Sequence, residues 1–455
     1  MMSLQECLQS KILNKQDVII IQDEVEIDFV PTALVLELEK AHSYPVVIIQ
    51  NPRGYDIPVV CNLFASRERV ARLLGAHEQP VHELWKHAEL NRVKPIIVPG
   101  GPVSDVVLKG SDVDLTKIPI ARHFQGDAGP YISSGIVIAK DPDTGVRNLS
   151  YHRLQLKDRN KLGVSLHSRG DLWDYYRRSE DAGRSLEVAV VIGAHPAVYL
   201  AASTKTPIDV DELDIAGGLL GEPVPLVKCD SVDVEVPANA EIVLEGRILA
   251  DVREPEGPFG EYTGYSTSRS TQNVLMVDAV RMQERPVYLD VIPGYSSDHL
   301  LLSRIPRECR VFSRLKEESH YVQALNYPKS GTHYHAYVSI RKTAEGQAKQ
   351  ALLTLMGLDP YIKLAVAVDE DIDVYNEEEV LWAIATRVQA DKRSFLISGA
   401  LCNKLDPSSE GGVSAKVGID ATQPLDWDVK KTTLPKEAYT KAREILEQVL
   451  QRAEA

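Results

Sequence analysis

Cysteine is scarce in this chain, five in 455 residues, and none stands in a Cys-x-x-Cys pair. Cys7, Cys61, Cys229, Cys309 and Cys402 are far apart and odd in number, which argues for reduced thiols and against a disulfide frame or a zinc cluster. No stretch of about eighteen consecutive apolar residues exists to span a bilayer, and no basic segment followed by an apolar one opens the chain as a secretory signal would. A cytoplasmic location is the resulting expectation. Positive charge is also in deficit: 51 Lys and Arg face 65 Asp and Glu, a formal net charge of −14. With no Lys- or Arg-rich run, this argues against nucleic acids and anionic membrane surfaces as partners. Neither Gly-x-Gly-x-x-Gly after a strand nor Gly-x4-Gly-Lys-Ser/Thr occurs, so nucleotide-binding Rossmann and P-loop readings have no foothold. Internal repeats and low-complexity segments are missing as well.

What is present is length and alternation. A chain of 455 residues exceeds what one hydrophobic core usually serves, so two or three domains are expected. In residues 1–104, the apolar runs Val18 to Ile21, Pro45 to Ile49 and Pro95 to Val98 predict strands. Ser66 to Leu74 and Val81 to Ala88 predict helices, making a small α/β unit. Pro99-Gly100-Gly101-Pro102 breaks both kinds of element and marks a boundary. Residues 105–305 are β-rich, with strands predicted over Ile136 to Ala139, Leu149 to Leu156, Val188 to Ile192, Val224 to Val236, Ala240 to Leu249, Val274 to Val280 and Val287 to Ile292, as in a barrel or sandwich. In residues 306–455, helical spacing over Arg307 to Leu325, Ala344 to Met356 and Glu377 to Val388 alternates with strands over Tyr334 to Ile340 and Ile362 to Val368. That predicts a second α/β domain with parallel pairing. The tail from Lys436 places Ala438, Ala442, Ile445, Leu446, Val449 and Leu450 on one helical face that needs a partner. The fold class is therefore mixed α/β.

The densest chemistry lies in Arg253-Glu254-Pro255-Glu256-Gly257-Pro258-Phe259-Gly260-Glu261-Tyr262-Thr263-Gly264-Tyr265. Carboxylates held close together repel, so at least one should keep its proton to higher pH than usual, as a general acid must. A solvated acidic turn is the plain structural alternative. Glu256 and Glu261 are separated by Gly257, Pro258 and Gly260, so a turn can aim both into one cavity, which a regular strand could not do at odd spacing.

Glu256-Gly257-Pro258-Phe259-Gly260-Glu261-Tyr262-Thr263-Gly264 resembles the signature of the UbiD family of reversible decarboxylases, which use prenylated FMN. Three further elements resemble family motifs in the same order. They are Asn148-Leu149-Ser150-Tyr151-His152-Arg153, Ala201-Ala202-Ser203 with Glu212, and Lys363 ahead of Leu364 to Val368 and Asp369-Glu370-Asp371-Ile372-Asp373. The resemblance implies a central flavin-binding, split-barrel-like domain and a C-terminal domain through which a homodimer or larger homo-oligomer assembles. It assigns a catalytic Glu-Arg-Glu network to Arg153, Glu256 and Glu261. Cofactor contacts fall on Asn148, Ser150, Tyr151, Arg153, Ala202, Ser203, Thr204, Glu212 and Lys363.

Asn148, His167 and Glu212 offer an amide oxygen, an imidazole and a carboxylate, a hard set suited to Mn2+ or Mg2+ that would bridge to the flavin phosphate. Backbone groups of Ala202, Ser203 and Thr204 resemble the family's potassium cradle, although Thr204-Lys205 replaces the Met-Pro pair of ferulic acid decarboxylases. The stretch Gly163 to His167 also departs from the family's usual forms. For substrate recognition, His299 and Arg304 follow the last central strand. Arg304 would pair with a second carboxylate, as in furan-2,5-dicarboxylate, or else with Glu308 on its own helix. His333-Tyr334-His335 reads as structural or interfacial.

The expected activity is non-oxidative decarboxylation of an aromatic, heteroaromatic or α,β-unsaturated acid through a covalent adduct with prenylated FMN, the cofactor being supplied by a separate flavin prenyltransferase. The alternatives are a non-catalytic flavin- or metal-binding carrier of the same fold and a metal-dependent hydrolase using Glu261 as base.

Overall fold

The computed structural model describes residues 1–76, 80–166, 170–429 and 431–454. Among these residues the architecture is mixed α/β, with four sheets. The N-terminal sheet joins Val18–Val25, Val46–Pro52 and Val59–Cys61 to a fourth strand, Tyr288–Asp290, which runs parallel to Val59–Cys61. That last strand was expected in the central β-rich region. Its three residues are all buried, and burial on both faces suits a parallel partner better than the half-exposed antiparallel setting. The N-terminal unit consequently has no core of its own. One apolar cluster runs from Val46 and Trp85 through Leu149 and Val243.

The central sheet has nine strands, all pairing antiparallel. Its path begins at Tyr131–Ile132 and ends at Arg147–Tyr151. Those ends are not paired with one another among the described residues, so the sheet is open and not a closed barrel. The predicted run Leu149 to Leu156 divides into two strands, Arg147–Tyr151 and Leu154–Asp158, with His152 and Arg153 at the break.

The strand predicted to end near Leu249 continues to Glu256. Pro255 is tolerated there for a positional reason. The neighbour Leu186–Ile192 pairs only with Ile242 to Ile248, so beyond that point one side of the strand is an edge where a missing N–H breaks no ladder.

A five-stranded sheet, ordered Val322–Asn326, His335–Ile340, Leu364–Asp369, Val413–Asp420 and Ser394–Leu401, forms the C-terminal part, with two parallel pairings at its centre. The helix expected from Arg307 begins ten residues earlier, at Ser297, ends at Glu318, and carries Pro306 within it. Proline has no N–H to offer the carbonyl four residues back. That carbonyl belongs to Leu302, and the Ser203 hydroxyl donates to it at 2.8 Å. Val322–Asn326, placed by spacing at the end of the same helix, is a strand. The tail helix Lys436–Glu454 leaves Tyr439, Ile445, Leu446 and Val449 exposed. The apolar stripe is present, and the chain's own core does not cover it.

Candidate active site

Arg153 stands at the break between two strands, and Glu256 ends the long strand. Glu261 sits in the turn that follows. Gly257 takes a φ of 82°, a conformation that favours glycine. At Gly260 an added Cβ would meet the Phe124 ring at 2.5 Å. Asp127 holds this turn in place, accepting from the backbone N–H of Gly260 at 2.9 Å and of Phe124 at 2.8 Å.

The three charged side chains form one network. The Arg153 guanidinium grips Glu256 with two parallel bonds, Nε to Oε1 at 3.0 Å and Nη2 to Oε2 at 2.7 Å. Its remaining arm, Nη1, donates to Glu261 Oε1 at 2.5 Å and to Thr267 Oγ1 at 3.1 Å. The Tyr131 hydroxyl donates to Glu256 Oε1 at 3.0 Å, and Phe259 lies beneath the guanidinium, 5.4 Å from ring centre to Cζ. Glu256 is almost wholly enclosed, 1 % exposed. Burial lifts the Glu261 carboxyl above its ordinary range; Arg153 pulls it back without cancelling the rise, and the nearby charge of Glu256 adds to it. The network thus holds one tightly paired carboxylate beside one that favours its proton.

Arg153 and Glu261 open onto a cavity of about 810 Å³, whose walls include Tyr151, Phe259, Val291, Pro293 and His299. Tyr361 and Cys402 to Leu405 close it from the C-terminal part. His299 is kept neutral by burial, its basicity lowered to about 4, and its Nδ1 lies 3.2 Å from the Gly294 carbonyl. Trp173, Tyr176 and Arg177 line it from the helix Asp171–Asp181.

Among the expected metal ligands, Asn148 and Glu212 come together, Asn148 Nδ2 donating to Glu212 Oε1 at 3.2 Å. Glu212 also accepts from the Leu149 N–H and from Thr206 Oγ1, each at 2.8 Å. It opens its helix after Asp211 caps it. Burial raises its carboxyl to about 7, the signature of a carboxylate for which no described cation compensates. His167 lies outside the described residues. Among those described, no cluster of three His, Cys, Asp or Glu side chains stands ready for a metal.

Ser150 donates to Asn148 Oδ1 at 3.2 Å, and Tyr151 donates to the Tyr199 carbonyl at 2.8 Å. Ala202 ends the helix Pro196–Ala202, with Ser203 and Thr204 in the turn beyond it. Lys363 pairs with Asp406 and Ser408, each at 2.6 Å, and is not among the residues lining the cavity.

Arg304 is likewise absent from that lining. It is buried, and its guanidinium donates to the backbone carbonyls of Tyr327, Lys329 and Thr332. It pairs with neither a cavity group nor Glu308, whose carboxylate is taken by Arg67 at 2.5 and 2.7 Å. Sequence reasoning missed Tyr131, Thr267 and Asp127. Each lies outside the motif it serves, and only the separation of Glu256 and Glu261 hinted that other residues must hold the turn.

Three sequence profiles of one family match in order. These are the N-terminal domain of 3-octaprenyl-4-hydroxybenzoate carboxy-lyase over residues 10–87, its Rift-related domain over 96–296 and its C-terminal domain over 301–421. An anhydromevalonate phosphate decarboxylase of Methanothermobacter thermautotrophicus is 36 % identical over 416 residues, 90 % of this chain and 95 % of that protein. The UbiD-class enzyme HmfF of Pelotomaculum thermopropionicum, solved with FMN, superposes with a TM-score of 0.90 at 40 % identity, covering 95 % of this chain and 98 % of that one. An evolved dimeric form of the same enzyme, solved with prenylated FMN, gives 0.88 at 39 % identity over 96 % and 98 %.

Proposed function

The chain belongs to the UbiD family of carboxy-lyases, and on that footing we propose that it catalyses the reversible, non-oxidative decarboxylation of an aromatic, heteroaromatic or α,β-unsaturated carboxylic acid with prenylated FMN as cofactor. The observation that carries the reading is the single guanidinium of Arg153 shared between two unequal carboxylates at a cavity wall. A carrier needs no such asymmetry, and the described partner of the Glu261 carboxylate is the Arg153 guanidinium, a hydrogen-bond donor and not a metal ligand.

The residues fit the cofactor. Arg153, Tyr151 and Phe259 supply a polar and aromatic wall, and the buried, uncompensated Glu212 beside Asn148 matches the demand of a divalent cation for hard oxygen donors. Asn148 and Glu212, with His167, would hold Mn2+ or Mg2+, and the backbone of Ala202, Ser203 and Thr204 would hold K+. When bound, prenylated FMN supplies the electron sink for the charge that departing carbon dioxide leaves behind.

The protein's own work is positioning and proton transfer. Glu256, fixed by Arg153 and Tyr131, orients the guanidinium. Arg153 keeps one Nη2 hydrogen outside its bonds to Glu256, Glu261 and Thr267, and this presents to the substrate carboxylate. Glu261, whose proton affinity burial raises, delivers a proton to the carbon that loses carbon dioxide, and in the reverse direction takes it back. His299, neutral and with Nδ1 turned to the Gly294 carbonyl, presents Nε2 to the substrate as an acceptor without a competing charge. Arg304 is omitted from the substrate contacts because it does not line the cavity and its two terminal nitrogens donate to backbone carbonyls. Phosphorylated and dicarboxylic acids therefore both remain in the panel to be tested.

Two further parts of the reading concern assembly and supply. The exposed stripe of the tail helix supports a homo-oligomer, and a flavin prenyltransferase must provide the cofactor in a reducing, cytoplasmic setting suited to the free cysteines.

The test is anaerobic co-expression with a flavin prenyltransferase, followed by carbon dioxide release from cinnamate, pyrrole-2-carboxylate, furan-2,5-dicarboxylate and anhydromevalonate phosphate. Release from at least one acid, abolished in Glu261→Gln and without the prenyltransferase, supports the reading. Failure to retain any flavin overturns it.

A further inference from the structure

Glu261 and Tyr262 are neighbours in sequence whose side chains serve different parts of the molecule. Glu261 reaches back to Arg153 at the central sheet. Tyr262 is buried in a small apolar cluster with Leu300, Tyr334 and Cys402, the last two from the C-terminal part. Its ring centre lies 4.5 Å from that of His333, and its hydroxyl meets the Tyr334 hydroxyl at 3.0 Å. Among the described residues, each of these two buried hydroxyls has the other as its one hydrogen-bond partner.

The two sides of this contact are unequally held. The Tyr334 N–H donates to the Gly331 carbonyl at 2.7 Å, and its carbonyl accepts from the N–H groups of Lys363 and Leu364 at 2.7 and 3.0 Å. Those bonds pin it at the start of the parallel pair His335–Ile340 and Leu364–Asp369. His333 is tied through Nε2 to the Ser303 hydroxyl, 3.1 Å away on the helix Ser297–Glu318. The catalytic turn, by contrast, closes on itself: the Glu261 N–H donates to the Tyr265 carbonyl at 3.0 Å, and the Gly264 N–H to the Glu261 carbonyl at 2.9 Å. For residues 261–265, the described hydrogen bonds to the rest of the chain are Glu261 to Arg153 and Tyr262 to Tyr334.

We infer that Tyr334 is a positioning residue: acting through Tyr262, it fixes the catalytic turn and so holds the Glu261 carboxyl against Arg153 at the cavity wall. Its consequence for catalysis rests on the proposed function; its effect on Glu261 does not. Burial pushes both phenols up, so the two hydroxyls keep their protons and removing either one removes no charge. The charged groups that face Glu261 are Arg153, Glu256 and Asp127. Those that face the tyrosine pair are Arg307, held by Asp359, and Lys363, held by Asp406. Phenylalanine at position 334 or 262 leaves all of these in place and keeps the ring in the apolar cluster.

Carbon-13 titration of the full chain labelled at glutamate Cδ reads the acid without turnover, the Glu261 resonance being the one that Glu261→Gln removes. Tyr334→Phe strands the Tyr262 hydroxyl and frees the turn, so water reaches the carboxyl and its midpoint should fall toward the ordinary carboxylate range. Tyr262→Phe breaks the same bond and should give the same fall, which keeps the test open if Tyr334→Phe does not fold. The double variant should fall no further than either single one. In the cofactor-loaded enzyme, kcat should drop about tenfold with KM nearly unchanged, and the solvent deuterium isotope effect on kcat should rise as proton delivery slows. An unmoved Glu261 midpoint in the folded single variants overturns the inference, as does a lowered melting temperature with kcat and isotope effect unchanged. A midpoint that moves in a protein whose parent decarboxylates no acid supports the link between Tyr334 and Glu261 and overturns the decarboxylase reading instead.

Discussion

Arg153 and Glu256 share two parallel hydrogen bonds, at 3.0 and 2.7 Å, so this pair takes the planar fork of the guanidinium and leaves one arm for Glu261. The two carboxylates, five residues apart in sequence, therefore differ in kind. Glu256 is the fixed partner of the guanidinium, and Glu261, whose proton affinity burial raises, is the group placed to exchange a proton.

That difference fixes a pH dependence. Burial raises the folded Glu261 carboxyl above its ordinary value, so the protonated acid persists to higher pH than in a free carboxylate and is lost as pH rises through the raised value. Decarboxylation should fall along a single descending limb. Glu261→Gln should remove that limb and lower kcat on the order of 10²–10⁴-fold. Rate profiles of both proteins, with circular dichroism to confirm folding, check this; a limb that survives in Glu261→Gln assigns it to another group.

Lysine at position 153 keeps a positive charge but has no fork. Arg153→Lys should hold Glu256 or Glu261 but not both, so kcat/KM should drop about a hundredfold or more while the melting temperature changes little. Glu256→Gln should show a comparable kinetic loss, because its amide cannot accept two guanidinium bonds. A double-mutant cycle in which the two losses are far from additive would confirm that they act as one unit; full additivity would refute it.

Much of this site was readable in the chain because its chemistry is concentrated in short motifs. Arg153, Glu256 and Glu261 meet as their spacing and resemblance implied, and Asn148 meets Glu212. What failed was information that spacing does not carry. Arg304 follows the last central strand and invites a ligand role, yet backbone carbonyls from Tyr327 to Thr332 fold back over it. Tyr288–Asp290 has the apolar character of a central strand but its partner lies more than two hundred residues earlier. The helix predicted to start at Arg307 instead runs through Pro306, where Ser203 supplies the donor that proline lacks.

That last contact gives a stability prediction. Ser203→Ala leaves the Leu302 carbonyl without its side-chain donor inside a proline-interrupted helix, which should cost about 1 kcal/mol, seen as a lowered midpoint in urea with an unchanged slope. An unchanged midpoint would mean that water serves the carbonyl equally well.

Glu241 offers the clearest link between burial and pH. Its side chain is fully enclosed, and Oε2 accepts from Gln5 Nε2 at 2.7 Å and from the Val287 N–H at 3.1 Å, but Oε1 has no partner. Burial raises the carboxyl to about 7 from an ordinary value of 4.5. The folded state therefore binds a proton more tightly than the unfolded chain. Its stabilising contribution is complete below the unfolded value and is lost as pH climbs through the folded one. Glu241→Gln keeps an oxygen for Gln5 and Val287 and removes the titration. The variant should match the parent near pH 4 and exceed it above pH 8 by up to about 3 kcal/mol, the upper bound set by the shift. Urea midpoints measured from pH 5 to pH 8 decide the matter. A parent curve that falls across this window while the variant's stays flatter supports the assignment, and parallel curves would show that Glu241 keeps its charge inside the fold.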